Sequence, residues 1–166
     1  MSPPGERLAR SWTGNAAAWI EAVRGGRIQS RWLANDAAML DALLALKPAR
    51  VPEVGCSEGW LCRALATHGI ETVGVGASAP RVEAARAAGG GRFDVLTYAN
   101  LGAAAERLGT FDALACKCSA AGPGHPAPAA TWLAERAAAG FQFERLREPA
   151  HPDTARPLSL LLETRA

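Results

Sequence analysis

From Arg50 onward the chain alternates short β-rich runs with helix-like segments, and this alternation limits the fold more than any other feature. RVPEV, ETVGV, RFDVLTY and FDALAC read as strands. WLCRALATH, the stretch from a Ser78 cap to Ala88, and LGAAAERL read as the helices between them. A βαβαβαβ order buries both strand faces only as a parallel sheet covered by helices on both sides. FQFERL and PLSLLLET supply two closing strands, near enough in sequence to form an antiparallel hairpin. The expectation is therefore an α/β, Rossmann-like doubly wound, mostly parallel sheet of about six strands. Pro52 is the odd residue, since a proline inside a central strand removes a ladder donor.

Helices are expected ahead of the sheet. Asn15 can cap AAAWIEAVR, which Gly25-Gly26 ends, and a second helix runs from near Ser30 to Leu46 on a stripe of Leu33, Ala37, Leu40 and Leu44. A single domain over residues 1–166 follows, with helices in 1–47 and the core in 48–166. Although 49% of the 166 residues are hydrophobic, no run approaches the roughly 18 apolar residues that cross a bilayer. The start, MSPPGERLAR, lacks the apolar core of a signal peptide, so the expectation is a cytoplasmic protein without a membrane partner. A net charge of +2 is too small to argue for nucleic acid, and oligomeric state is not legible. Among the four cysteines there is no C-x-x-C pair, and Cys116-Lys117-Cys118 stands alone, so buried thiols are expected rather than a metal site.

Residues 55–59, GCSEG, admit two chemistries. As G-x-S-x-G they read as a nucleophile elbow with Ser57 as attacking group, Asp112 and either His125 or His151 completing the order. That elbow belongs after several strands, whereas this one follows the first, and Gly89-Gly90-Gly91 lies downstream of it. As a glycine loop leaving the first strand of a doubly wound sheet, the same residues stand where such folds bind ligands. The spacing is not G-x-G-x-x-G, which argues against a nicotinamide cofactor.

VPEVGCSEGWLCRALATHGIETVGVGAS resembles the first motif of class I S-adenosylmethionine-dependent methyltransferases. FDALAC resembles their fourth strand and PLSLLLE their last. W-x-x-N-A-x-x-W, V-R and I-x-S-R resemble the N-terminal lid helices of a bacterial small-molecule subgroup. The resemblance implies methyl transfer from S-adenosylmethionine to a small-molecule acceptor. It implies that Gly55, Cys56, Ser57 and Gly59 line the cofactor's amino acid end, that Glu53 supports them, and that Arg31 pairs with the cofactor carboxylate. It sets Gly76 and Ala77 beside the adenosine, Asn100 and Leu101 at the adenine edge, and Cys116 at the neighbouring strand end. Trp12 and Trp19 would roof the acceptor, with His151 as candidate general base.

The chain departs from the family pattern in three ways. Glu53 replaces the usual Asp and Ser57 the middle glycine; Gly76 stands where an acid normally accepts both ribose hydroxyls, with Asn100 where an Asp often meets adenine. Losing such a charge-assisted hydrogen bond removes ~1.5–3 kcal/mol. Between the fourth strand and the last helix only Ser119 to about Ala130 remains, too short for the family's additional helix and fifth strand. These departures support the alternative of a non-catalytic, methyltransferase-like binding protein.

Overall fold

A computed structural model describes residues 10–116, 142–147, 152–155 and 161–165. The chain divides into two compact units, Met1–Gln29 with Leu43–Lys117, and Ser30–Ala42 with Cys118–Ala166. The described elements are α1 (Ala16–Arg24), a π-helical turn (Arg31–Asn35) running into α2 (Asp36–Ala45), β1 (Arg50–Val54), α3 (Trp60–Ala66), β2 (Glu71–Gly76) and α4 (Ala79–Ala88). They continue with β3 (Arg92–Val95), α5 (Tyr98–Leu108), β4 (Ala115–Cys116), β5 (Gln142–Arg147) and β6 (Leu161–Arg165).

In the first unit four strands form a parallel sheet in the order β3-β2-β1-β4. Residue alternation along β2 explains how both sheet faces are filled. Val73 and Val75 face one way, packing with Ala104 and Leu108 of α5 and with Leu96, Leu101 and Phe111. Gly74 faces the other way, where a side chain would have no room: a Cβ there would lie 2.5 Å from the Phe93 ring and 2.9 Å from Cys56 Cβ. That face is completed by Cys56, Cys62 of α3 and Val82 and Ala85 of α4, all fully buried. Helices thus cover both faces, as the βαβ order requires.

Pro52 is accommodated by the shortness of β4. The Arg50 N–H donates to Asp112 Oδ2 at 2.8 Å and its C=O accepts from the Asp112 N–H at 3.1 Å, so Arg50 faces the β4 side. Alternation puts position 52 on that same flank, and the β1–β4 ladder begins only at Glu53↔Ala115. No donor is missed where no strand is paired. The same capture of Asp112 explains why FDALAC yields only two strand residues. The third strand also ends earlier than expected, at Val95; extended Thr97 caps α5, which starts at Tyr98 instead of Leu101.

In the second unit β5 and β6 pair antiparallel, with a register shift between Phe143 and Arg145. The Pro/Gly/Ala-rich loop, the TWLAERAAA helix, His125 and His151 lie outside the described residues. Among the described residues no helix is long and apolar enough to cross a membrane.

Candidate functional site

The strand order places β1 between β2 and β4, so the chain reverses its winding direction beside the carboxyl end of β1. This is the topological switch point at which open α/β sheets bind ligands. Residues 55–59 leave β1 at that point. The N–H groups of Gly55 and Cys56 both donate to the Val75 carbonyl of β2, at 2.8 and 3.0 Å, rolling the loop over the two strand ends. Gly55, Ser57 and Gly59 all have left-handed backbones, with φ of +84°, +52° and +80°. Position 57 thus takes a left-handed conformation that favours glycine while carrying a side chain, an arrangement that costs about 1–3 kcal/mol of local strain. Gly59 is also pressed from below: a Cβ on it would lie 2.9 Å from both Ala85 Cβ and Phe93 Cζ.

Beneath the loop, Glu53 is 2% exposed and its Oε2 accepts the Cys62 thiol at 3.2 Å, joining β1 to α3. Cys56 is a buried thiol, as expected of the cysteines: its side chain lies in the core with Phe93 and Val82, so only its backbone is left to line a cofactor. Burial, and then the Glu53 carboxylate, push the Cys56 thiol up to about 12. The same two causes raise the Cys62 thiol further.

Above the loop lies α1. Trp19 Nε1–H donates to Ser57 Oγ at 3.0 Å, and the Arg81 guanidinium stacks 5.2 Å from the Trp19 ring centre. One turn along, Arg24 Nε donates to Glu58 Oε2 at 3.2 Å and its Nη2 donates to the Ala84 carbonyl at 2.9 Å. Glu58 is fully buried; Arg63 Nη2 also donates to its Oε2, at 2.6 Å, and Arg63 Nη1 to its carbonyl, at 2.7 Å. Glu58 is the residue that reading the sequence missed. Its partners lie five and thirty-four positions away, so no helical or strand spacing signals the cluster. Trp12 lies in the helical turn before α1, partly buried.

At the end of β2, Gly76 has an ordinary backbone, and an added Cβ would lie 3.3 Å from Val82 Cγ2 and 3.5 Å from Cys56 Sγ. Ala77 is partly exposed beside it. In the first turn of α5, Asn100 is exposed, while Leu101 packs on the Val73–Leu108 core. Cys116 is partly exposed on β4, opposite Val54. Arg31 belongs to the second unit, where its Nε bonds both Asp36 carboxylate oxygens, at 3.0 and 3.2 Å.

The nucleophile elbow loses its geometry. Asp112 accepts the N–H groups of Ala49 and Arg50 at the start of β1, the end opposite Ser57. A carboxylate held there cannot orient a histidine at Ser57.

No family model matches the chain, and no curated protein sequence does. Among solved structures it resembles the S-adenosylmethionine-dependent methyltransferase from Mesorhizobium loti, at 19% identity over 82% of this chain and 98% of that one, TM-score 0.52. It also matches the plantazolicin methyltransferase BamL, solved with S-adenosylhomocysteine, at 18% identity and TM-score 0.40, and WbdD, at 27% identity and TM-score 0.34. These matches cover 58% and 40% of this chain and only 39% and 17% of the two proteins' own lengths. The α/β sheet of this chain has the class I methyltransferase fold.

Proposed function

We propose that the chain transfers a methyl group from S-adenosylmethionine to a small-molecule acceptor. The observation that carries this reading is the loop of residues 55–59 at the switch point. Its three left-handed residues, Gly55, Ser57 and Gly59, hold the backbone shape of a glycine cradle although one glycine has been replaced. The fold alone does not decide function; this local geometry supports it. The finer architecture, about six strands with a C-terminal antiparallel hairpin and N-terminal lid helices, belongs to the same proposal.

The residues present fit such a cofactor. Gly55 presents backbone without a side chain, Ala77 is small and partly exposed at the second strand end, and Asn100 offers an exposed amide for an adenine edge. The bound sulfonium supplies an activated methyl group. The chain supplies position: Glu53 and Cys62 brace the loop from below, Glu58 fixes its far end, and Trp19 covers it. Any proton from the acceptor falls to His151 in this proposal.

A second reading rests on Gly76. Without a carboxylate at the end of β2, and with Val82 only 3.3 Å from an added Cβ, the ribose loses its usual acceptor. A binding protein without catalysis then remains. Hydrogen–deuterium exchange of the full chain with saturating S-adenosylhomocysteine tests the cradle. Slowed exchange at residues 55–59 and 76–78 is expected; unchanged exchange at both would refute it. Gly76→Asp should tighten binding about tenfold, by restoring a charge-assisted bond, provided Val82 yields the few tenths of an ångström that a Cβ at 3.3 Å requires.

A further inference from the structure

The end of β2 lacks an acceptor, and the residues after it are donors. Ser78 caps the ten-residue α4, yet its side chain makes no capping bond; it is 8% exposed, with Oγ buried and unpartnered. Its carbonyl receives the N–H groups of both Arg81 and Val82, at 3.1 and 3.0 Å. Arg81 lies in the first turn of α4, its Nε buried and unpartnered, with its guanidinium against the Trp19 ring.

The surrounding carboxylates are committed elsewhere: Glu58 to Arg24 and Arg63, Glu83 to Arg86, and Asp94 to Arg86, Arg92 and Arg107. Among the described residues no carboxylate lies within ion-pair distance of Arg81. A partly buried cation without a counterion is costly unless an anion completes it. In doubly wound folds an acid at this strand end selects a free ribose hydroxyl, whereas an arginine nearby accommodates a ribose phosphate. Gly76, Ser78 and Arg81 have the second character.

We propose that Ser78 and Arg81 form an anion subsite at the carboxyl end of β2, which takes a phosphate monoester on the ribose of an adenosine ligand. The proposal rests on the adenosine cradle described above but not on methyl transfer, since S-adenosylmethionine carries free ribose hydroxyls.

Calorimetric titration of the full chain with adenosine, its 2′-, 3′- and 5′-monophosphates, inorganic phosphate and S-adenosylhomocysteine tests it. The 2′- or 3′-monophosphate is expected to bind at least about tenfold more tightly than adenosine or the 5′-isomer, as a charge-assisted contact implies. Arg81→Gln should erase that preference while keeping adenosine binding, Arg81→Lys should keep most of it, and Ser78→Ala should reduce it. Equal binding of adenosine and its 2′- and 3′-monophosphates, or a preference that survives in Arg81→Gln, overturns the subsite. Inorganic phosphate binding as tightly as the nucleotides assigns the site to free phosphate and overturns the ribose assignment. If S-adenosylhomocysteine binds without any phosphate preference, this inference alone fails. If neither adenosine nor S-adenosylhomocysteine binds, the cradle fails with it.

Discussion

Trp19 and Ser57, thirty-eight residues apart, meet in a 3.0 Å hydrogen bond that ties the N-terminal helix α1 to the loop after β1. The serine that breaks the glycine pattern is thus also the acceptor that holds a tryptophan over the candidate cleft. One substitution has two consequences, left-handed strain and a lid contact.

Ser57→Gly removes both at once. The glycine relieves the strain of a φ of +52° and removes the Trp19 acceptor, effects of opposite sign and each about 1 kcal/mol. The midpoint of urea unfolding should therefore shift little. S-adenosylhomocysteine affinity should rise several-fold, because the hydroxymethyl group leaves the cradle. A variant that unfolds much earlier, or binds no better, would count against the loop geometry.

Gly59→Ala should be severely destabilising. It forces an L-residue into a φ of +80° and drives a methyl against Ala85 and the Phe93 ring, both 2.9 Å away. A loss of about 2–4 kcal/mol is expected from strain and overpacking together. Phe93→Leu in the same chain should recover part of that loss, since it removes one of the two obstacles. Additive losses in the double variant would show that Gly59 and Phe93 are not in contact.

Glu58→Gln tests the buried cluster. Glutamine keeps an oxygen acceptor but removes the charge that Arg24 and Arg63 share, and because both arginines are partly exposed the cost should be about 1 kcal/mol. Because Arg24 and Glu58 share one ion pair, the Arg24→Ala and Glu58→Gln effects should fall clearly short of additive, although Arg24→Ala also loses the bond to the Ala84 carbonyl. Strict additivity in a double-mutant cycle would place the two groups apart in solution.

The thiols predict an alkaline signature. Cys56 titrates at about 12 in the fold against an ordinary value of 9.0, so the fold favours the neutral thiol. Its contribution is present in full below pH 9 and is lost as pH climbs from there toward 12, because the unfolded chain ionises first. Between pH 9.5 and 11 the stability of the native chain should fall faster than that of Cys56→Ala by roughly 1.4 kcal/mol per pH unit. Parallel stability curves for the two proteins would show the thiol to be exposed.

Much of this molecule could be read from the chain because the strand runs and the glycines act locally. RVPEV and ETVGV became β1 and β2, and the loop at Gly55–Gly59 landed at the switch point, since alternation and turn chemistry are written in neighbouring residues. FDALAC was overestimated because the side chain of Asp112 is taken by the backbone of β1, a partner more than sixty positions away. That Cys56 is a buried thiol was legible, but its facing was not, because facing depends on which way the turn rolls, here toward the Val75 carbonyl. The Arg24–Glu58–Arg63 cluster and the contact of Arg81 with Trp19 left no pattern, since each depends on how α1 and α4 pack.

The most direct test is calorimetric titration of the intact 166-residue chain with S-adenosylhomocysteine. A single site with micromolar affinity, weakened at least tenfold when Gly59 is replaced by a folded, second-site-rescued Ala variant, is the predicted result. No heat of binding at millimolar ligand, from protein whose unfolding transition is cooperative, would contradict the proposed cradle and the methyl transfer built on it.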